Sequence, residues 1–268
     1  MMKIEKTIQA WYAINLIEGE GVGTAYEYYS KLRKLRKFLY SIGMPKRILI
    51  AGLPEKYGLS MDFIWLGGCL NAETVVIDDR SEVLERVGSV LSILRSEKLI
   101  DKSNFSLIKA DQISEFNHSG VFKEKFDLAL SSEVLQRVDT AKTTYISNLM
   151  KAAKNFVVFV PNQENESHAN LSGLKSVHLG ELIKYCREIH SSAYLYDYGY
   201  IDMPPFPPGL SRSPEKREKA SKSRLEIFLM NSLQFYSLCE DIIPNFIKKK
   251  IAHIIYVMVK NNIEIENA

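Results

Sequence analysis

The segment from Lys46 to Asp79, KRILIAGLPEKYGLSMDFIWLGGCLNAETVVIDD, is the stretch that most constrains the fold. Two short β-branched runs, RILIA from Arg47 and ETVVI from Glu73, flank a mostly apolar stretch, Ser60 to Leu70, long enough for one short helix. Strands apolar on both faces, joined by a helix, predict a βαβ unit within a parallel sheet covered on both sides. A right-handed crossover then brings the turn at Gly52 and the carboxylates of Asp78 and Asp79 to the carboxyl-terminal edge of the sheet. Such folds bind ligands at that edge. A carboxylate placed there can accept hydrogen bonds from both hydroxyls of a ribose.

The rest of the chain repeats the pattern. A helix begins at Ser81, which reads as its N-cap, and buries Val83, Leu84, Val87, Val90, Leu91 and Leu94. Strands are expected at 104–109, 127–130 and 155–160, with helices at 140–154 and 179–189. A sixth strand, Ala193 to Ile201, sets Tyr194, Tyr196, Tyr198 and Tyr200 on alternate positions, hence on one face. The proline-rich MPPFPPG that follows cannot be a central strand. A helix over 224–242 and a last strand over 251–259 end the pattern. Before it, residues 1–43 read as two helices separated by EGEGVG, the second with Tyr28, Leu32, Leu35 and Leu39 on one stripe and its basic residues mostly opposite. The expectation is a doubly wound, mostly parallel α/β sheet. A helical cap or lid occupies 1–43 and the α/β domain 44–268, with 203–250 a loop and helical insertion.

Hydrophobic residues are 46% and charged residues 25% of the 268, and the formal net charge is +3, too small to demand a nucleic-acid partner. Basic clusters at 31–37, 216–224 and 248–250 nevertheless offer faces to RNA, anionic lipid or an anionic substrate. The three cysteines are far apart with no CxxC pair, so neither a zinc site nor a disulfide scaffold is indicated. Without a signal-peptide pattern or an apolar run of membrane-spanning length, the expected location is cytoplasmic.

Over about Lys46 to Lys260 the chain resembles the class I S-adenosylmethionine-dependent methyltransferases. DLALSSEVLQRVD, Asp127 to Asp139, is similar to that family's fourth-strand segment, and KNFVVFVPN to its fifth strand. AHIIYVMVKN resembles the antiparallel seventh strand of the family's Rossmann-like sheet. The resemblance implies a seven-stranded sheet and S-adenosylmethionine as cofactor. It implies cofactor contacts from the loop residues Ala51, Gly52 and Leu53, from Asp78 or Asp79 to the ribose, from Asp111 and Gln112 to the adenine, and from Ser131. The glycine-rich loop departs from the family: Ile50 replaces the usual acidic residue, and Pro54 and Lys56 replace the second and third glycines. Glu55 is the candidate to replace the missing carboxylate. A nicotinamide dinucleotide site would need the same glycines.

Methyl transfer requires an aligned acceptor and, where a proton must leave, a base within hydrogen-bond reach. His178, before the helix beyond the fifth strand, and Glu133, after the fourth, are the catalytic candidates. Tyr28, His168, Tyr198 and Phe206 are candidates to line the acceptor pocket. No metal ligand set is expected. The leading expectation is methyl transfer to a small-molecule acceptor. An RNA or protein methyltransferase docking through the basic helix 31–37 is the second, and an inactive interaction protein that kept the fold is the third.

Overall fold

A computed structural model describes residues 6–100, 104–117, 122, 124–189, 193–205 and 224–261. Its centre is a seven-stranded sheet of order β3-β2-β1-β4-β5-β7-β6. The strands are β1 (Arg47–Ala51), β2 (Glu73–Asp78), β3 (Phe105–Lys109), β4 (Leu128–Ser132), β5 (Asn155–Pro161), β6 (Ala193–Ile201) and β7 (Ile254–Asn261). The pairs β1–β2, β1–β4, β2–β3 and β4–β5 are parallel, and β7 is antiparallel to both β5 and β6. This is the class I methyltransferase fold, as the resemblance implies.

The strands alternate between two cores. Ile48, Ile50, Val76, Leu128, Leu130 and Phe159 face one layer, made by α1 (Ile8–Glu18), α2 (Val22–Ile42), α3 (Met61–Cys69) and α4 (Ser81–Ser96). Leu49, Val75, Ile77, Ala129, Val158 and Val257 face the other, made chiefly by α5 (Lys142–Ala152) and α7 (Leu179–Ile189). Period-2 side-chain alternation in strands buried on both faces produces this division. A short α6 (Glu166–Ser172) follows β5, and α8 (Arg224–Cys239) and α9 (Asn245–Ile251) precede β7.

Four local expectations are corrected. The helix at Ser81 has Arg80, not Ser81, at its cap position, with no side-chain capping bond. Arg80 is directed instead to Asp78. Residue 251 ends α9 rather than opening the last strand, which begins at Ile254. The tyrosine face of β6 is split by a bulge between Leu195 and Asp197. One extra residue reverses the alternation, so Tyr196 joins the α2 side, 5.1 Å from the Phe38 ring, while Tyr200 joins the opposite core. Finally, Lys31 does not stand on the solvent side of α2. It is fully buried.

Candidate functional site

Two groups of polar side chains meet at the carboxyl-terminal edge of β1, β2 and β4. The first surrounds Asp78, which is fully buried at the end of β2. Its Oδ2 accepts from the Leu53 N–H at 2.7 Å, closing the loop after β1 onto β2. Arg80 donates from its backbone N and its Nε to Oδ1 at 2.9 and 2.8 Å, and from Nη2 to the carbonyls of Leu53 and Pro54. Arg137, from the turn after β4, lies 3.3 Å from Asp78 Oδ2 through Nη1 and donates from Nη2 to Asp79 Oδ1 at 2.7 Å. The other Asp79 oxygen accepts from the Ile113 N–H. Burial alone would raise the Asp78 pKa, but Arg80 and Arg137 outweigh it and hold the carboxyl below its usual range.

The second group is built around Lys31. Its Nζ lies 2.7 Å from Glu27 Oε1 and 3.5 Å from Asp62 Oδ2, and donates to Ser132 Oγ at 3.0 Å. The rings of Tyr28 and Phe63 both stand 5.1 Å from the ammonium. Burial lowers the lysine's pKa, but the charges of Asp62 and Glu27 overcome that and raise it, so the ammonium stays charged. Burial raises Asp62 to about 6 despite Lys31, and raises Glu133 well above the usual carboxyl range, the charge of Glu27 adding to the effect. Burial thus favours the protonated form of both carboxyls, and Asp62, at about 6, is the one that changes charge near neutral pH. Both Asp62 oxygens, Glu133 Oε2 and both amide atoms of Gln136 are buried without a hydrogen-bond partner. Orphaned polar atoms of this kind mark a place where water or a ligand completes the network.

The EGEGVG turn locks this group in place. Gly58 N donates to Glu20 Oε1 at 3.2 Å, Leu59 N donates to the Tyr28 hydroxyl at 3.0 Å, and that hydroxyl donates to Glu18. Gly58 has φ +71°, and a Cβ there would collide with the Tyr28 hydroxyl. Gly58→Ala is expected to lower stability by about 1–3 kcal/mol through left-handed strain alone, measured by urea unfolding. A wild-type midpoint would show that the loop yields freely.

The sequence candidates divide by place. Ala51, Gly52, Leu53, Asp78, Asp79, Ser131, Glu133 and Tyr28 come together at this edge. The Tyr145 hydroxyl ties two of them, donating to the Ala51 carbonyl and accepting from the Ser131 hydroxyl at 2.7 Å. Glu55, Asp111 and Gln112 are exposed on the rim. His178 is also exposed, 3.8 Å from Glu164, outside the cluster. His168 stacks on His253 at 4.0 Å, and burial lowers its pKa to about 4, with His253 adding to the effect. It is neutral at pH 7. Tyr198 is half exposed on β6, and Phe206 lies outside the described residues. Sequence reading missed Lys31, Glu27, Asp62 and Arg137. An acidic residue inside the apolar run MDFIWLGG and a Glu–Lys pair four apart in a tyrosine-rich stripe were the available signals. Among the described residues no group of three or more His, Cys, Asp or Glu side chains could hold a metal ion.

The donor set suits an adenosyl sulfonium cofactor in two respects. Asp78 and Asp79 supply carboxylates at the ribose position, and the surplus of buried carboxylates over the one ammonium suits a cationic group near β4. The space does not follow. A Cβ on Gly52 would lie 2.8 Å from both Val134 methyls and 3.2 Å from Ile113 Cγ1, so the cradle that glycine opens is filled. Arg80 and Arg137 take the acceptor positions of Asp78. The carboxylates are in place, and the nucleotide end is closed.

No protein-family model matches this sequence, and no curated protein matches it either. The chain is similar to several solved structures. An O-methyltransferase domain, StiE residues 961–1257, is 15% identical with a TM-score of 0.47, over 87% of this chain and 75% of that one. The plantazolicin methyltransferase BamL, solved with a triazolic substrate analogue and SAH, is 12% identical with a TM-score of 0.49, over 95% and 98%. The 16S rRNA methylase RmtB is 13% identical with a TM-score of 0.43, over 96% and 76%.

Proposed function

We propose that this chain is an S-adenosylmethionine-dependent methyltransferase acting on a small-molecule acceptor. The observation that carries the reading is that the carboxyl edge of β1, β2 and β4 holds Asp78 and, around Lys31, the buried carboxyls of Asp62 and Glu133 with oxygens that lack a hydrogen-bond partner. When bound, the cofactor supplies an electrophilic methyl group. Asp78 and Asp79 would hold its ribose once the Arg137 guanidinium is displaced from them, with the Leu53 N–H keeping the loop on Asp78. The chain's own residues do the rest. Lys31 fixes Ser132 and Glu27, and Asp62 accepts a proton near neutral pH. Enclosure by Tyr28, Phe63 and α2 favours an acceptor small enough to enter.

The docking reading of the basic helix has less support. Lys31 is internal, Arg33 pairs with Asp241 and Glu240, and Lys34 pairs with Asp197. Those charges serve the fold. The cofactor-free reading has a specific observation in its favour, the Val134 methyls against Gly52 and the two guanidiniums on Asp78. Calorimetric titration with S-adenosylmethionine and S-adenosylhomocysteine separates the two. Micromolar binding to the wild type, lost in Asp78→Ala at retained fold, is the expected result. Absence of heat with both ligands, for wild type and for a variant with the nucleotide end opened, would leave the fold without the activity.

A further inference from the structure

We infer that the face formed by α8, the turn after it and α9 docks on an anionic lipid surface. Phe228 and Phe235, seven residues apart on α8 and hence on one side, are 67 and 72% exposed, and Ile242, in the turn after it, is 82% exposed. Leu229 and Leu238 lie beside them, and Phe246 is 74% exposed on α9. Single exposed apolar residues need no explanation, but a continuous band of large ones marks an interaction surface.

The charge beside the band names the occupant. Lys248, Lys249 and Lys250 follow Phe246 and Ile247 directly on the seven-residue α9, so the bulky apolar tip carries its cations with it. Of the nearby carboxylates, Asp241 is held by Arg33 at 3.1 Å and Glu164 by Lys249 at 2.8 Å. An interfacial segment has this composition: aromatic and aliphatic side chains enter the headgroup boundary, and lysines reach the phosphates on long apolar stems. No helix among the described residues is long and apolar enough to cross a membrane, so the contact is peripheral.

The tip is also rigidly placed. Asn162 Nδ2 donates to the Lys249 carbonyl at 3.0 Å, and Asn165 Nδ2 donates to the Ile251 carbonyl at 2.9 Å, tying α9 to the exit of β5. A surface bound there meets the same sheet edge as the candidate site. The inference does not depend on methyl transfer.

Co-sedimentation of the full chain with vesicles tests it. Phosphatidylcholine vesicles containing phosphatidylglycerol are expected to retain at least several-fold more protein than phosphatidylcholine alone, and 0.5 M salt is expected to release it. Ile242→Ser with Phe246→Ser, and separately Lys250→Gln, should each reduce retention several-fold with unchanged circular dichroism. These positions are exposed, so folding is preserved. Equal retention on both vesicle types would overturn the proposal. So would a dimer in lipid-free solution that Phe246→Ser dissociates, because a second copy would then be the occupant.

Discussion

Lys31→Met is expected to destabilise the protein by about 3–5 kcal/mol at pH 8, the usual cost of removing one partner of a buried ion pair. The ammonium is fully enclosed and faces Glu27 at 2.7 Å and Asp62 at 3.5 Å while donating to Ser132. Without it, those carboxylates are buried charges with no counterion. Protonation is their way out, and this fixes the pH dependence. The Asp62 pKa is already raised to about 6, so the stability tied to its proton is present at low pH and lost as pH rises through about 6. Removing Lys31 takes away the interaction that opposes the rise and moves the window upward. The deficit of the variant should therefore shrink between pH 8 and pH 5.5, read from urea unfolding free energies at both. An equal deficit at the two values would mean that the carboxylates do not depend on the lysine.

Arg137→Ala is expected to tighten S-adenosylhomocysteine binding about tenfold, equivalent to about 1.4 kcal/mol. In the wild type, a ribose reaching Asp78 must displace the Arg137 guanidinium from Asp78 and Asp79, and the cost of separating those charges subtracts from affinity. Arg80 still holds Asp78 in the variant, so the loop after β1 stays in place. Val134→Ala, which empties the space against Gly52, should add to the gain. Titration calorimetry reads both. Unchanged affinity in a variant of a wild type that binds would show that the guanidinium moves aside without cost. Loss of affinity would make Arg137 a cofactor ligand. The same charges govern acid stability. The depressed Asp78 pKa stabilises the fold above the ordinary carboxyl range, and that contribution is lost as pH falls through the lowered value. Arg137→Ala should therefore narrow the stability difference between pH 7 and pH 3.

Sequence by itself determined the sheet. The apolar runs at β1, β2, β4 and β5 are long enough to be buried on both faces, and helices of matching length stand between them, so a parallel α/β arrangement follows from local periodicity. Asp78 at the end of β2 was legible for the same reason: a polar residue that ends an apolar strand points to the functional edge. Tertiary structure decided what surrounds that carboxylate. Lys31 looked like one cation in a solvated row, because its reasons for being inside, Asp62 and Ser132, are 31 and 101 residues away. Arg137 reaches Asp78 and Asp79 across 59 and 58 residues, and nothing near it in sequence announces the contact. The β6 tyrosines are the converse case, a clean local alternation undone by a single bulge. Helix and strand periods are properties of neighbouring residues. The pairing of buried charges, and the space left for a ligand between them, depend on which distant segments the fold brings into contact.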